Sequence, residues 1–598
     1  MKIILLLVYL KMLLLSLAYL LIAVISPVLL WPDQENDVKE IRLHIQRANL
    51  NPDCFHQSYS AFHVNGQFPA PPIRVVRGDR VRLIVENDAS NNVSTAIHVH
   101  GIYQYYSNHA DGVSEINQVA IRPGKRFVQE FRVINQTGTF FYHAHVATQD
   151  DSVQGPFIVY DSQASLEGKT SDGPYPYDHE HILQWSDWWH QSLDDRADYY
   201  MSPSFGNDQG PDSVLLNGQG VYPNVTITED CKGYRYFDVF PNRLYRLRNI
   251  GGMTFRDLEI SIRDHGMQLI EIDGEYVKPY NLSSIQIGPG QRMSVLVRTA
   301  NHPPGSLFPI LTQYRWRQDA LNPGYTESGY GYLRYVEPDQ EDDCKSQPEE
   351  KTEGPTQEKD RIRILERPQT PAYNASDQVP GWVLPYIRPW KRPSSSSILT
   401  AKADRTILIS MRDIRLPDGS RRFVNEDRPY NPHPWGNASV SLLDIVRKDP
   451  EVGTLARHDG YSSRHRTYPL KLNQIVDLVF QNYFLPPPAP PNLCVLHPWH
   501  THGYSHYLMA EGPGDYDPVV HKDLVTFAQP LFKDVSVVYP VPKNGSEGCG
   551  WTKVRIFTNN PGVWAVHCHI TSHMMQGKMI VLEVAPEKLV SKKEKTSS

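Results

Sequence analysis

The sequence predicts an all-β protein built from three consecutive β-sandwich domains. Short runs that alternate apolar and polar residues recur along the chain between glycine, proline and asparagine, a pattern typical of half-buried strands. The 48 prolines and 33 tyrosines favour short strands and turns over long helices. One strand pattern that ends in asparagine occurs three times, in residues 80–87, 244–249 and 475–482. We therefore expect three related sandwiches.

The size and charge of the chain limit its class. A length of 598 residues exceeds what one hydrophobic core supports and predicts about three to five domains. The apolar content of 40 % excludes a disordered chain, and the net charge of −6 argues against a nucleic-acid-binding protein, which normally has a basic domain. We place the domains at residues 38–160, 161–337 and 400–586, with a charged, proline- and serine-rich linker at 338–399.

Residues 1–31 form a separate hydrophobic segment. Lys2 precedes an apolar run in which residues 12–31 carry no charge, and a helix of that length spans the ~30 Å core of a bilayer. Acidic residues follow it, which predicts an inside N-terminus and an exported body. A cleaved signal peptide and an uncleaved signal anchor remain open alternatives. Export predicts a glycoprotein that is extracellular, in the cell wall or membrane-anchored, and it agrees with seven N-glycosylation sequons, at Asn92, Asn135, Asn224, Asn281, Asn374, Asn437 and Asn544.

Ten of the 24 histidines fall into short clusters that two internal repeats organise. Residues 135–145 match residues 559–569 in the pattern Asn-x-x-Gly-x-aromatic-x-x-His-x-His, and residues 98–101 match residues 500–503 in the pattern His-x-His-Gly. The first and third domains thus share a histidine framework that the second lacks, which indicates duplication of one module. The clusters are His98/His100, His143/His145, His497/His500/His502 and His567/His569/His573.

This arrangement predicts metal binding. Residues i and i+2 of a strand lie on the same face, so each His-x-His presents two imidazoles side by side. Eight imidazoles from two domains exceed the ligands of one ion, and we expect a cluster of about three ions at the seam between the first and third domains. Cys568 faces the opposite way and could meet His497 and His573, the ligand types of a blue-copper site. A single strand histidine is usually structural, but packing does not explain four ordered clusters with one cysteine.

The motifs at 98–101, 143–145, 497–503 and 567–573 together resemble those of three-domain multicopper oxidases, the family of fungal-type laccases and ascorbate oxidases. The resemblance implies three cupredoxin-like Greek-key sandwiches. It also implies four copper ions and four-electron reduction of dioxygen to water, driven by one-electron oxidations of a donor. Carried over, the type-1 ligands are His497, Cys568 and His573, the type-2 ligands are His98 and His500, and the type-3 ligands are His100, His143, His145, His502, His567 and His569.

The chain departs from the family pattern at two positions near Cys568. Lys578 stands where the family usually has methionine or leucine, and we predict that it turns its charge outward and leaves the copper three-coordinate. Thr571 replaces a carboxylate, which removes one candidate proton source. Asp111 retains the other acid of the family and is expected to relay protons, although it could also be a turn cap. The expected catalytic residues are thus Asp111, Cys568, His567 and His569.

The remaining cysteines predict two disulfides in an exported protein. The resemblance to ascorbate oxidases implies a bond between Cys54 and Cys231. Cys494 and Cys549 flank the motifs of the third domain and are expected to pair, which leaves Cys344 of the linker odd.

The reducing donor is less well specified by the sequence. It need only reach the edge of His497 or His573, and the sequence favours a small phenolic donor with dioxygen as the acceptor. L-ascorbate and ferrous iron are the alternative donors. A non-catalytic copper-binding wall protein is the alternative from another class.

Overall fold

The computed structural model describes residues 38–206, 210–223, 225, 231–315, 329–337, 382–391, 396–425, 439–450, 460–487 and 493–589. The hydrophobic segment 1–31 and most of the linker, with Cys344, lie outside these residues. Within them, no helix has the length and apolar character needed to cross a membrane.

Eight strands form the first domain: β1 (Val38–Leu50), β2 (Tyr59–Val64), β3 (Ile73–Val76), β4 (Arg80–Asn87), β5 (Ile97–His100), β6 (Arg126–Arg132), β7 (Gly138–Ala144) and β8 (Gln154–Tyr160). They make two sheets with the strand orders β2-β1-β4-β6 and β3-β8-β7-β5. Strand β4 shows why these residues form a sandwich. Its Val81, Leu83 and Val85 are fully buried, whereas Arg80 and Arg82 are only half-buried, as the alternation of a strand requires.

The described residues of the second domain form eleven strands: β9 (His179–Trp188), β10 (Ser213–Leu216), β11 (Arg235–Val239), β12 (Leu244–Gly251), β13 (Leu258–Ile262), β14 (Met267–Ile272), β15 (Glu275–Leu282), β16 (Ser284–Ile287), β17 (Arg292–Arg298), β18 (Leu307–Tyr314) and β19 (Tyr330–Tyr335). Their sheets have the orders β10-β9-β12-β17-β14-β15 and β11-β19-β18-β13-β16.

Eleven strands also occur in the part of the third domain that the structure describes: β20 (Arg405–Arg415), β21 (Arg421–Asn425), β22 (Tyr468–Leu470), β23 (Ile475–Tyr483), β24 (His497–Thr501), β25 (His506–Gly512), β26 (Phe532–Lys533), β27 (Val535–Val538), β28 (Gly548–Phe557), β29 (Gly562–Cys568) and β30 (Met579–Val584). Their sheets have the orders β21-β20-β23-β28-β25-β26 and β22-β30-β29-β24-β27. The prediction of three successive all-β sandwiches is confirmed.

Helices are short and connect the strands. The described residues contain α1 (Gln163–Leu166), α2 (Leu193–Met201), α3 (Ser396–Thr400), α4 (Leu442–Lys448), α5 (Thr571–Met575) and single 3₁₀ turns at Asn108–Ala110, Gln149–Asp151, Leu384–Tyr386 and Pro586–Lys588. Helices α2 and α4 begin after Ser192 and Ser441, whose hydroxyls accept hydrogen bonds from backbone amides of the first turn.

Covalent and ionic links join the domains. The Cys54–Cys231 disulfide connects the first domain to the second, and Cys494–Cys549 lies within the third, so both predicted pairings are confirmed. The backbone amide of Thr139 on β7 donates to the buried carboxylate of Glu271 (2.6 Å). A buried carboxylate needs such partners, and this one fixes β7, the strand that carries His143, against the second domain.

Candidate metal centres

Eight histidines meet at the seam between the first and third domains. Strands β5 and β7 place His98 opposite His143, and strands β24 and β29 place His500 opposite His567, so the two domains present the same layout. The rings approach closely across the seam, with ring centroids 3.7 Å apart for His100 and His500. We call this group the histidine cluster: His98, His100, His143, His145, His500, His502, His567 and His569.

The inward nitrogens of the histidine cluster suit metal coordination. The Nε2 atoms of His502 and His567 lie 3.0 Å apart, and that of His145 lies 3.3 Å from that of His567. Other buried ring nitrogens have no hydrogen-bond partner among the described residues: Nε2 of His98, His143 and His500, Nδ1 of His100 and both ring nitrogens of His569. Converging lone pairs without donors are the arrangement that a cation satisfies.

The outward ring nitrogens are fixed by hydrogen bonds to oxygen atoms. Such bonds place the proton on the outward nitrogen and leave the inward one free to bind metal. The acceptors are the backbone oxygen of Asp111 for His98 (2.7 Å), Asp111 Oδ2 for His502 (3.0 Å), the backbone oxygen of Asp534 for His500 (3.0 Å), Asp534 Oδ1 for His100 (3.2 Å), and the oxygens of Ala144 and Cys568 for His143 (2.9 Å) and His567 (3.0 Å).

Burial disfavours protonation of most imidazoles in the histidine cluster. Burial, reinforced by the neighbouring imidazoles, lowers the pKa of His143 to about 3, and burial lowers the pKa of His567 to about 4. The same causes lower the pKa well below its usual value for His100, His145, His500, His502 and His569. These imidazoles are therefore neutral at physiological pH, the form that binds metal.

His506 shows what a structural histidine looks like in the same domain. It is as buried as the cluster histidines, but its Nδ1 lies 2.9 Å from the Thr501 hydroxyl and its Nε2 lies 2.8 Å from the Ser536 hydroxyl. With both nitrogens satisfied, His506 has no lone pair to offer an ion. This contrast separates ligands from packing histidines more sharply than burial does.

The structure brings His497, Cys568 and His573 together as a second group, which we call the cysteine group. The Sγ atom of Cys568 lies 3.6 Å from Nδ1 of both histidines, and those two Nδ1 atoms are 3.2 Å apart. Burial raises the pKa of the Cys568 thiol to about 11, so a bound cation is what would hold it as a thiolate. Two imidazoles and one sulfur suit a trigonal copper site.

Lys578 does not turn outward, so this prediction is wrong. Its side chain is buried, with Nζ 3.0 Å from Nε2 of His497 and 4.3 Å from the centre of the Phe423 ring. Burial lowers its pKa to about 8. If His497 binds metal through Nδ1, its Nε2 carries the proton and donates, so Lys578 must accept as a neutral amine. The face of the Phe423 ring and the hydrogen bond with His497 stabilise the buried amine.

Asp111 lies at the histidine cluster on a tight turn after the 3₁₀ turn Asn108–Ala110. Its carboxylate is fully buried and contacts His502, and its backbone oxygen contacts His98. Gly112 has a φ of +87°, and a Cβ there would lie 1.7 Å from the backbone oxygen of Ile97. The glycine therefore lets the chain turn close enough to seat Asp111.

Two residues at the cluster carry no signal in the sequence. Asp534 precedes β27 and forms two 2.6 Å bonds with the guanidinium of Arg292 from the second domain. Arg292 also donates to the backbone oxygen of Thr139 in the first domain (3.1 Å). This pair ties all three domains together beside His100. Both are single residues without a motif, so only their spatial pairing reveals them.

Positive charge surrounds the cysteine group. Besides burial, Lys578, Arg256 and Arg421 lower the pKa of His573. The neighbouring carboxylate of Asp413 is already paired with the guanidinium of Arg421. The ring of Phe423 lies 5.2 Å from that of His573, edge to face. The cysteine group is thus flanked by the aromatic ring of Phe423 and by the guanidinium of Arg256.

The folds and sites together define a three-domain β-sandwich protein that gathers soft and imidazole ligands for copper. Three sequence models of multicopper oxidases match residues 44–164, 179–338 and 437–588. The chain belongs to the multicopper oxidase family, and it is an oxidoreductase that uses copper and oxygen. The cupredoxin-like form predicted for the domains is confirmed as well.

Relatives within the family differ in what they oxidise. An L-ascorbate oxidase of Cucurbita maxima is 28 % identical over 581 residues, covering 93 % of this chain and 91 % of the relative. A laccase-like multicopper oxidase 1 of Thermothelomyces thermophilus is 28 % identical and covers 86 % and 82 %. The crystal structure of Fet3p, a multicopper oxidase that functions in iron import, aligns with a TM-score of 0.70 at 23 % identity, over 92 % of this chain and 91 % of that one.

Proposed function

We propose that the protein is a laccase-type oxidase that takes single electrons from phenolic donors at a type-1 copper and reduces dioxygen to water. In this proposal it holds four copper ions, one type 1, one type 2 and two type 3, with the ligands expected from the sequence. The observation that carries it is the positive charge of Arg256 beside the cysteine group, which favours an anionic or hydroxylated organic donor over ferrous iron.

The chain's own residues support both halves of such a reaction. Bound copper would supply one-electron redox chemistry at the cysteine group and dioxygen reduction at the histidine cluster. Cys568 is joined through the backbone to His567 and His569, and His567 Nδ1 donates to the Cys568 oxygen (3.0 Å). This short covalent and hydrogen-bonded link connects the two groups. The Asp111 carboxylate accepts a hydrogen bond from Nδ1 of His502 and can exchange a proton beside the histidine cluster.

The charge around the cysteine group favours an anionic or hydroxylated organic donor. Ferrous iron is a dication, which the guanidinium of Arg256 repels, whereas a phenolate is attracted. L-ascorbate, an anion, is the second candidate, because the same charge attracts it and ascorbate oxidases are among the relatives.

Oxygen uptake by copper-replete protein separates these donors. We expect catechol to be oxidised fastest, ascorbate more slowly and ferrous iron slowest. Added salt should lower kcat/KM for the anionic donor, because it screens the attraction. Fastest uptake with ferrous iron would overturn the proposal, and no uptake with any donor would favour the non-catalytic copper-binding alternative.

We also propose that the protein enters the secretory pathway and works outside the cell, in the wall or anchored to the membrane by residues 1–31. The two disulfides and the exposure of the described sequons support this. Those sequons are Asn92, Asn135, Asn281 and Asn544. Glycosidase treatment of protein from the native host should lower its apparent mass, and sequencing of its N-terminus distinguishes a cleaved signal from an anchor. An unglycosylated protein in the cytosol would contradict export.

A further inference from the structure

Asp150 is a buried acid that the sequence analysis did not single out. It lies in the 3₁₀ turn Gln149–Asp151 of the connection from β7 to β8, five residues after His145. The hydroxyl of Thr571 donates to its Oδ2 atom at 2.5 Å. Thr571 begins α5 and is two residues from His569. The first domain thus delivers a carboxyl group to the position at which this chain has lost an acid after Cys568.

The surroundings of Asp150 keep its proton in place. Burial and the charge of Asp151 raise its pKa well above its usual value, against the opposing effects of the Thr571 hydrogen bond and of Arg196. Arg196 is itself paired with Asp151 (2.5 Å). Burial also raises the pKa of the nearby Asp187 to about 7. These surroundings favour the neutral, protonated form of the Asp150 carboxyl group.

Asp150, which contacts Thr571, and His569, two residues before Thr571, both have buried polar atoms without a partner. Among the described residues, the Oδ1 atom of Asp150 has no hydrogen-bond partner, and neither ring nitrogen of His569 has one. If His569 binds an ion through one nitrogen, the other becomes a buried donor that needs an acceptor. Buried polar groups of this kind are usually satisfied by ordered water. A water beside Thr571 would connect the carboxyl group to the histidine cluster.

We propose that Asp150, positioned by Thr571, supplies protons for dioxygen reduction in place of the acid that is missing after Cys568. Reduction of one dioxygen to two waters consumes four electrons and four protons, and the donor side delivers only the electrons to the cluster. Asp150 releases its carboxyl proton through water on the His569 side and regains a proton from solvent water. Asp111 serves the His98–His502 side. The inference concerns oxygen chemistry and does not depend on the identity of the donor.

Single-turnover reoxidation tests the proposal without any natural donor. Copper-loaded protein is reduced with dithionite and mixed with dioxygen across a range of pH. Asp150→Asn should slow reoxidation by on the order of 100-fold, the low end for general acid catalysis. Asp150→Glu should retain more of the rate. Adding Thr571→Glu to Asp150→Asn returns an acid to the family's position and should restore part of the rate. Blue colour and copper content show that each variant is folded.

Asp257→Asn is the matched control. Asp257 resembles Asp150, because it is fully buried, burial raises its pKa to about 7 and its Oδ1 has no hydrogen-bond partner among the described residues. It differs in its contact, since its Oδ2 accepts a hydrogen bond from the side-chain amide of Gln286 and not from Thr571. We expect this variant to reoxidise at the wild-type rate.

A readout on metal-free protein is independent of turnover. At neutral pH, the infrared difference spectrum of wild type minus Asp150→Asn should contain a protonated carboxyl band, and Thr571→Val should shift that band. Wild-type reoxidation by Asp150→Asn, or the absence of an Asp150-dependent band, would overturn the proposal. Failure of every donor in the uptake assay would count against the proposed function and leave this result unaffected.

Discussion

The histidine cluster and the cysteine group are built in opposite ways. Every residue of the cysteine group comes from the third domain, on β24, β29 and α5. The histidine cluster takes half of its ligands from each of two domains, and Arg292 of the second domain holds Asp534 beside it. One site is therefore a local product of one sandwich, whereas the other exists only when three sandwiches dock.

This difference predicts which substitutions should impair each site. Side-chain pairs across the seam, such as Asn108 with the backbone of Val563 (2.9 and 3.1 Å), position the cluster histidines without touching an ion. Changes at the seam should damage oxygen reduction and spare electron entry. Changes within the third domain should do the reverse, and the following variants separate the two.

Cys568→Ser should have the largest effect, because it removes the only sulfur ligand of the cysteine group. A serine hydroxyl does not provide the soft thiolate that a blue-copper site requires. We expect the blue absorption to vanish and donor oxidation to fall to background, while the histidine cluster keeps its copper. His506→Gln is the control, since His506 is buried but satisfied, and it should keep the colour. A blue Cys568→Ser protein would contradict the assignment of the cysteine group.

Arg292→Met tests how much the Arg292–Asp534 pair stabilises the contact between the domains. It leaves the Asp534 carboxylate buried without its cation, a change that typically costs about 3–5 kcal/mol of folding stability. Burial raises the pKa of Asp534 to about 6 although Arg292 opposes this rise, so removal of Arg292 raises the pKa further and penalises the ionised form that predominates above pH 6. The destabilisation should therefore be larger at pH 8 than at pH 5 in urea unfolding of the metal-free protein.

Arg412→Met is the control for this measurement. Its partner Glu547 is exposed, so the loss should be at most about 1 kcal/mol. Equal losses for the two variants would show that the Arg292–Asp534 pair does not secure the seam.

The sequence predicted the residues that lie in recognisable motifs and missed isolated residues whose role depends on distant partners. Spacing alone grouped His98 with His100 and His567 with His569, because strand geometry puts i and i+2 on one face. Asp150 and Asp534 are single acids whose partners lie hundreds of residues away, and topology alone brings them together. The orientation of the Lys578 side chain was predicted wrongly, because the contacts with His497 and Phe423 that accommodate the amine are not visible in the sequence.

Asp111→Asn keeps the shape of the carboxyl group and removes its charge and proton exchange. Because Asp111 contacts His98 and His502, we expect reoxidation by dioxygen to slow by on the order of 100-fold. Reduction of the blue colour by a donor under anaerobic conditions should stay fast, since the cysteine group is built elsewhere. Equal slowing of both half-reactions would indicate that Asp111 acts only as a turn residue.

Lys578→Leu should have the smallest effect, and its sign is informative. As a neutral amine, Lys578 accepts a hydrogen bond from His497 Nε2 at 3.0 Å, which raises the basicity of the ligand and stabilises oxidised copper. Leucine removes the acceptor without offering a new ligand, so the redox potential of the blue copper should rise while oxygen reduction by the pre-reduced protein is unchanged. An ammonium at the same position would disfavour oxidised copper, and its removal would lower the potential. A fall measured by redox titration would therefore mean that Lys578 keeps its charge when the cysteine group binds metal.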